Sequence, residues 1–484
     1  MNSLALLIDF GSTFTKITAV DLSTSVVAGR SQAPSTVLTD VREGLVQALV
    51  TLHERYHLFE HPPEDLEVLE GQVVFASSSA AGGLRMVVIG LVPGLTVEAA
   101  NLAALGAGAK VVGSLGFKLP EKAIEEIEGL RPDMLLLTGG TNGGDSGTIL
   151  HNARLLASSR LSVPVVVAGN RVVAGEICET LRQGGKEVRC AENVMPEAGV
   201  LAVESAREEI RKLFMERITQ AKGLDRIKEV VRVVQPTPMA VLQGLVLGAE
   251  GVDGNSGWGE MLLVDVGGAT TDVHSIGYGK PTGTNTMVQG LPEPFAKRTV
   301  EGDLGIRYNA ATLRARVGLD NLHTELRAEF PQFAVTRDEL AQYLDDISQD
   351  TSRVPDREWH YAADAMLARA AVDLAVERHA GKRERIFSRE GETWVYYGKD
   401  LSETSILIGT GGVFIYNPHV THILSPSSRG NERYQVLRPK NPRTFIDASY
   451  LLYAVGLLAE NHPAVALRIF QEHMKPVGSR DAGD

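Results

Sequence analysis

Cysteine is almost missing from this chain: Cys178 and Cys190 are the two among 484 residues. Neither belongs to a CxxC pair, so a zinc ribbon and a disulfide scaffold are excluded, and two unpaired thiols in a reducing compartment are expected. Long apolar runs are lacking too, and none reaches the ~20 residues of a membrane-spanning helix. The amino terminus, MNSLALLIDF, has no basic segment and no cleavage site, so a cytoplasmic location is expected. There is no excess of positive charge: 48 Lys and Arg face 60 Asp and Glu, for a formal net charge of −12. That argues against nonspecific nucleic-acid binding. It leaves room for a phosphate site built from backbone N–H groups. No GxxxxGK[ST] sequence exists, which excludes a P-loop protein. Gly106-Ala107-Gly108 follows a helical pattern rather than a strand and is no dinucleotide fingerprint. His53, His57 and His61 recur every fourth residue without an acidic partner in register, and read as a solvated face.

Glycine, by contrast, is plentiful, with 49 residues gathered at hairpins and turns. A chain of this length exceeds what one hydrophobic core usually serves, so two or three domains are expected. Leu4 to Phe10 reads as a buried strand, Gly11-Ser12-Thr13 as a tight turn, and Thr15 to Val20 as a returning strand. Val41 to Tyr56 has helical periodicity. Pro132 to Thr138 and Val163 to Ala168 read as buried strands, and Glu197 to Lys222 as an amphipathic helix. The second half echoes the first: Met261 to Val266 is a strand, Gly267-Gly268 a turn, Thr271 to Ile276 a return, and Leu401 to Ile408 runs into Gly409-Thr410-Gly411-Gly412. Strands alternating with helices imply an α/β protein, and the repeated order implies two lobes of like topology. Thr336-Arg337-Asp338-Glu339 reads as a capping box. Asp356 to Arg385 reads as a long, mostly exposed helix, and Ala448 to Glu460 as the last clear one.

Three segments carry chemistry. In Asp9-Phe10-Gly11-Ser12-Thr13, with Lys16 beyond, an acid ends a buried strand, glycine permits close approach of a ligand, and the hydroxyl residues add donors. Asp9 is placed to hold a hydrated Mg²⁺. Asp265-Val266-Gly267-Gly268-Ala269-Thr270-Thr271-Asp272 repeats this logic, with Asp265 as the second metal candidate. Asp272 has an alternative role in bonding its own turn. Two such hairpins could hold the β- and γ-phosphates of ATP from both sides. Gly409-Thr410-Gly411-Gly412 removes side chains where a base or ribose would lie.

This ordered set resembles the phosphate-1, phosphate-2 and adenosine motifs of the actin, sugar-kinase and heat-shock-chaperone ATPases. Val234 to Ala240 is similar to that superfamily's first connecting helix, with Gln235 standing where its chaperones usually carry a glutamate. The resemblance implies two actin-like, RNase H-like lobes around a nucleotide cleft, ATP and Mg²⁺ as cofactors, and Gln235 beside Asp9 and Asp265 as the catalytic candidates. A narrower resemblance rests on Ala76 to Met86, Leu137 to Thr141, Asn193 to Glu197 and above all Lys297-Arg298-Thr299-Val300-Glu301-Gly302-Asp303-Leu304-Gly305. These segments resemble the MutL/GlmL family of glutamate mutase accessory proteins, which share only a name with mismatch-repair MutL. That resemblance implies a slow ATPase of chaperone type, acting as a reactivating factor that releases damaged cobalamin from an adenosylcobalamin-dependent mutase of the glutamate mutase or aminomutase kind.

On this reading the first lobe spans 1–230, with 72–181 an insertion that contacts the partner. The second spans 231–430, and 431–484 returns to the first lobe. The partners implied are mutase subunits, with no nucleic acid and no membrane, and a homodimer is compatible. Arg298, Glu301 and Asp303 are read either as lining the cleft or as a salt-bridged turn. A small-molecule kinase and a dehydratase-activating ATPase are the alternatives on the same fold, and an actin-type filament is a further one.

Overall fold

The computed structural model describes residues 4–11, 14–36, 40–79, 84–218, 231, 233–252, 254–281, 286–388, 391–425 and 435–477. Ser12, Thr13 and the 80–83 stretch of the first family segment lie outside the described residues. The chain forms two units, one of 1–247, 290–292 and 452–469, the other of 248–289, 293–451 and 470–484.

In the first unit, β1 (Leu4–Phe10), β2 (Phe14–Asp21) and β3 (Val26–Pro34) form an antiparallel meander. β4 (Val73–Ser78) then pairs parallel to β1. Leu6, Ile8 and Phe10 pack with Leu45, Leu49 and Leu52 of the helix Val41–Tyr56. The alternate residues of β1 therefore face the other way. There Tyr453 bonds the Thr18 hydroxyl at 3.0 Å and the Leu7 carbonyl at 3.3 Å.

The chain then leaves for a second, wholly parallel sheet: β5 (Arg85–Ile89), β6 (Lys110–Leu115), β7 (Met134–Leu137), β8 (Val165–Val167) and β9 (Val188–Cys190) in the order β6-β5-β7-β8-β9. Met86 and Val88 point into one core, Val87 and Ile89 into another, as helices on both faces of a parallel sheet require. Cys178, buried on the helix Ala174–Gln183, is disulfide-bonded to Cys190 at the end of β9. This corrects the expectation of free thiols. The residues are separated by 12 positions, but the crossover returns the chain beside its own helix, and sequence spacing alone does not reveal that.

β10 (Val233–Pro236) rejoins the first sheet against β4, giving the order β10-β4-β1-β2-β3. The helix Thr237–Glu250 follows and meets the helix Leu452–Leu458 at Ala240, Gly244 and Gly456. A Cβ on Gly456 would overlap the Ala240 carbonyl, so only glycine permits this approach.

A short ribbon, β11 (Gly251–Val252) with β12 (Asn255–Ser256), opens the second unit. Its main sheet is built from β13 (Met261–Val266), β14 (Thr271–Ile276), β16 (Ala296–Glu301), β19 (Ile406–Thr410), β21 (Arg443–Ile446) and β22 (Lys475–Pro476), ordered β16-β14-β13-β19-β21-β22. β15 (Thr286–Gln289), β17 (Lys382–Ser388), β18 (Gly391–Tyr397) and β20 (Gln435–Val436) form a smaller sheet. Taken as β3-β2-β1-β4-β10 and β16-β14-β13-β19-β21, the two main sheets share one strand order. In both, the second strand runs antiparallel to its neighbours. This is the RNase H-like arrangement, present twice in an α/β chain.

The helix of the second unit's core runs Glu358–His379, shorter than the sequence suggests, and it is buried rather than exposed. Alanine at Ala362, Ala363, Ala365, Ala368, Ala370, Ala371 and Ala375 lets neighbours close on every side. The charged residues that argued for exposure have partners: Asp364 with Arg307 and Arg378 with Glu301 and Asp303.

Candidate functional site

Strand register, not sequence proximity, assembles the first unit's site. Asp9 sits opposite Lys16 on β2 and Ser77 on β4; Ser77 sits opposite Gln235 on β10, and Lys16 opposite Gln32 on β3. Register partners share a face, so Gln235, Ser77, Asp9, Lys16 and Gln32 form one polar row across the sheet. Asp9 is buried, and its Oδ1 accepts hydrogen bonds from Thr237 Oγ1 at 2.6 Å and Ser77 Oγ at 3.0 Å. Burial holds its carboxyl above the usual range, against the opposing pull of Lys16, Thr237 and Ser77. Gly11 closes the hairpin by donating its N–H to Phe14 O at 3.0 Å. Ser77 and Thr237 lie in segments that carry the resemblances but were not named as site residues: a serine in a strand and a threonine before a proline show no role until the register is known.

The second unit repeats the design. Asp265 pairs in register with Asp272 and Thr410, and Gly267 N–H closes the turn on Thr270 O at 2.9 Å. Asp272 carries Arg298, whose Nη2 lies 2.6 Å from Oδ1 and Nε 3.0 Å from it, so its carboxylate is committed to an ion pair on β16. Thr271 is buried and donates to Leu304 O at 2.7 Å, which turns its hydroxyl away from any ligand of the turn. Glu301 and Asp303 both hold Arg378, and Arg316 adds to Asp303, so these family-segment residues form a salt-bridged turn.

The turn's own carbonyls decide what it presents. Gly267 O accepts Ile306 N–H at 3.1 Å. Gly268 O accepts Arg307 and Tyr308 N–H, each at 2.9 Å, and Ala269 O accepts Asn309 Nδ2 at 2.7 Å. A trans peptide points its N–H opposite to its C=O. With three successive carbonyls held by the 306–309 segment, the N–H groups of Gly268, Ala269 and Thr270 are left on the opposite side, as an anion nest requires.

Beside this turn lies a cavity of about 420 Å³ lined by Gly267, Gly268, Arg307, Val354, Pro355, Tyr361, Asp364, Gly412, Val413, Tyr416 and other residues. Exposed Val354 and Tyr416 give it flat apolar walls. Arg307 is held in it by buried Asp364, at 2.5 Å from Nη2 to Oδ2, and Tyr343 donates its hydroxyl to Oδ1 at 2.9 Å. Burial raises the Asp364 carboxyl, opposed by Arg307 and Tyr343. The three nearby glycines differ in role. Gly412 lines the cavity with nothing within 4 Å of an added Cβ, Gly411 packs on Asp265 and Val266, and Gly409 packs on the Phe414 ring. Arg307, Tyr416 and the pair Tyr361 and Asp364 of the helix Glu358–His379 come from three segments and were not singled out from the sequence.

Among the described residues no group of three or more His, Cys, Asp or Glu could hold a metal alone. Carboxylates set beside hydroxyls fit Mg²⁺, which keeps waters and substrate phosphates as ligands; Asp9 in the first unit and Asp265 in the second are, each in its own unit, the acids that would hold such an ion.

Known proteins are similar to this chain in structure and in sequence. Solved structures similar to it include a nucleotide-free acetone carboxylase (13% identity, TM-score 0.39, covering 95% of this chain and 70% of that one). A xylulose kinase from Bifidobacterium adolescentis is another (10% identity, TM-score 0.30, covering 99% and 96%). At such scores neither carries an argument. Sequence does: a curated relative, Protein MutL of Clostridium tetanomorphum, is 41% identical over 475 residues, 98% of this chain and 99% of that protein. The family described as MutL protein matches residues 5–474. The chain therefore belongs to the MutL family.

Proposed function

We propose that this chain is an ATP-dependent, chaperone-like reactivating factor for an adenosylcobalamin-dependent mutase. The observation that carries the nucleotide half is the phosphate-2 turn: three carbonyls turned away, three N–H groups left to present, and a ring-sized cavity alongside. The turn takes the phosphates of ATP, the cavity takes the base and ribose between Tyr416, Val354 and Arg307, and Mg²⁺ enters with the nucleotide. Asp265, on the strand that enters that turn, would hold the ion through its waters, and Asp9 is the matching acid of the first unit; the ion would supply neutralisation of charge on the terminal phosphate. Gln235, in register with Ser77, carries an amide that can hydrogen-bond water but removes no proton at neutral pH, which favours slow turnover. The mutase half rests on the family resemblance. Its physical requirement is that the partner bind the ATP and ADP states with different affinity.

Isothermal titration of the full chain with Mg-ATP tests the first half. Binding by the wild-type chain, lost in Asp265→Ala, is expected; unchanged affinity in that variant would overturn the site. Co-purification tests the second half. A cobalamin-enzyme subunit retained with ATP and shed with ADP is expected, and equal retention in both states would overturn the coupling.

A further inference from the structure

The segment Gly302–Asn309 bonds both the phosphate-2 turn and a wall of the cavity, and no hairpin logic explains its composition. Four of its groups bond the phosphate-2 turn: Ile306 N–H to Gly267 O, Arg307 and Tyr308 N–H to Gly268 O, and Asn309 Nδ2 to Ala269 O. Asn309 Nδ2 also reaches back to Gly302 O at 3.0 Å, closing its own segment into a loop. Gly305 makes the approach feasible, since a Cβ there would lie 2.5 Å from Gly268 O and against the Ala269 backbone. The far end is fixed by Leu304 O, which takes the Thr271 hydroxyl, and by Glu301 and Asp303 on Arg378. Arg307 faces both ways: its N–H holds Gly268, while its guanidinium, paired with Asp364, forms a wall of the cavity.

We infer that Gly302–Asn309 is the element that sets the phosphate turn and couples it to the nucleoside cavity, with Asn309 positioning the phosphate-facing N–H groups and Arg307 linking them to the base. The inference rests on the nucleotide reading above and deepens it. Asn309 does not line the cavity. It fixes the Ala269–Thr270 peptide, and with it the direction of the Thr270 N–H, so its loss should be felt by phosphates and not by a nucleoside. Arg307 lines the cavity, so its loss should be felt by any ligand that carries the base. The division of labour follows from which atoms each residue holds, and a merely structural role would not produce it.

The experiment is titration of the full chain with ATP, ADP and adenosine. Asn309→Ala should weaken ATP and ADP about 5- to 30-fold, the factor corresponding to one or two kcal/mol, and leave adenosine unchanged. Asn309→Asp keeps the shape but loses both donors, and should reproduce that split. Arg307→Met should weaken all three ligands by a similar factor. Equal weakening of ATP and adenosine in both Asn309 variants, or no change in either, overturns the inference while leaving the nucleotide reading in place. A wild-type chain that binds neither ATP nor adenosine overturns both.

Discussion

Gly411 and Gly412 are neighbours that the sequence treats alike, and the structure predicts opposite fates for them. Gly411 has φ 104° and ψ 167°, a region that is essentially glycine-only and costs another residue about 1–3 kcal/mol. Its added Cβ would lie 2.5 Å from Val266 O and 2.8 Å from Asp265 Oδ1, an overpacking that costs roughly 1–3 kcal/mol more. Gly411→Ala should therefore destabilise the second unit by about 2–6 kcal/mol, which at ~2–4 °C per kcal/mol lowers its melting temperature by roughly 4–24 °C. An alanine at Gly412 meets nothing within 4 Å and opens the helix Gly412–Tyr416, so it should stay within about 0.5 kcal/mol of the parent. Gly412 lines the cavity, however, so the added methyl should weaken adenosine binding. Urea unfolding and scanning calorimetry of both variants, with adenosine titration, read all three effects. Equal stability loss in the two variants, or a Gly411→Ala protein as stable as the parent, would refute the assignment of close packing to one and an open wall to the other.

Asp9 and Lys399 yield further predictions. The raised carboxyl of Asp9 means that the native state holds that proton more tightly than the unfolded chain. Its ionisation therefore costs stability as pH rises from the ordinary carboxylate range through the native value, and the cost persists at neutral pH. Asp9→Asn should be at least as stable as the parent at pH 7 while losing Mg-dependent ATP binding; a less stable variant in urea titrations at that pH would contradict this. Lys399 is buried, and its ammonium donates to Ser275, Pro294 and Phe295 carbonyls. Burial pulls its pKa down to about 7, with Glu293 and Glu260 raising it and Lys297 lowering it. Between that value and the ordinary lysine range the unfolded chain binds the extra proton, so this group makes stability rise with pH. Lys399→Met should remove that rise from a series of unfolding curves taken from pH 6.5 to 10, and a slope unchanged by the substitution would exclude the residue as its source.

Local rules carried the hairpins, the helix Val41–Tyr56 and the capping box, whose Thr336 and Glu339 exchange both expected hydrogen bonds. Each is decided within a few residues by periodicity or by a turn, which a sequence displays directly. The polar row is different. Gln235 reaches Ser77 and Asp9 only because an entire parallel sheet is inserted between β4 and β10, and register across that gap has no local signature. The helix Glu358–His379 misled for a related reason. Its charged residues look like a solvated face until Arg307 and the Glu301–Asp303 pair arrive from a segment 57 to 77 residues earlier in the chain. The cavity likewise draws Arg307, Tyr361 and Tyr416 from three segments, and pairing of that kind is written in topology rather than in spacing.

The Tyr453 hydroxyl that bonds Thr18 and Leu7 has a consequence for biosynthesis. Its partner lies 435 residues earlier in the chain, so on the ribosome β1 and β2 must wait until the 452–458 helix has been made before that contact and the Gly456 helix crossing can form. Domains usually finish in order of synthesis, amino-terminal first. Here the first unit is completed by a segment made after the whole of the 293–451 stretch of the second, and a nascent chain cut short before residue 452 would carry a first sheet without its Tyr453 contacts.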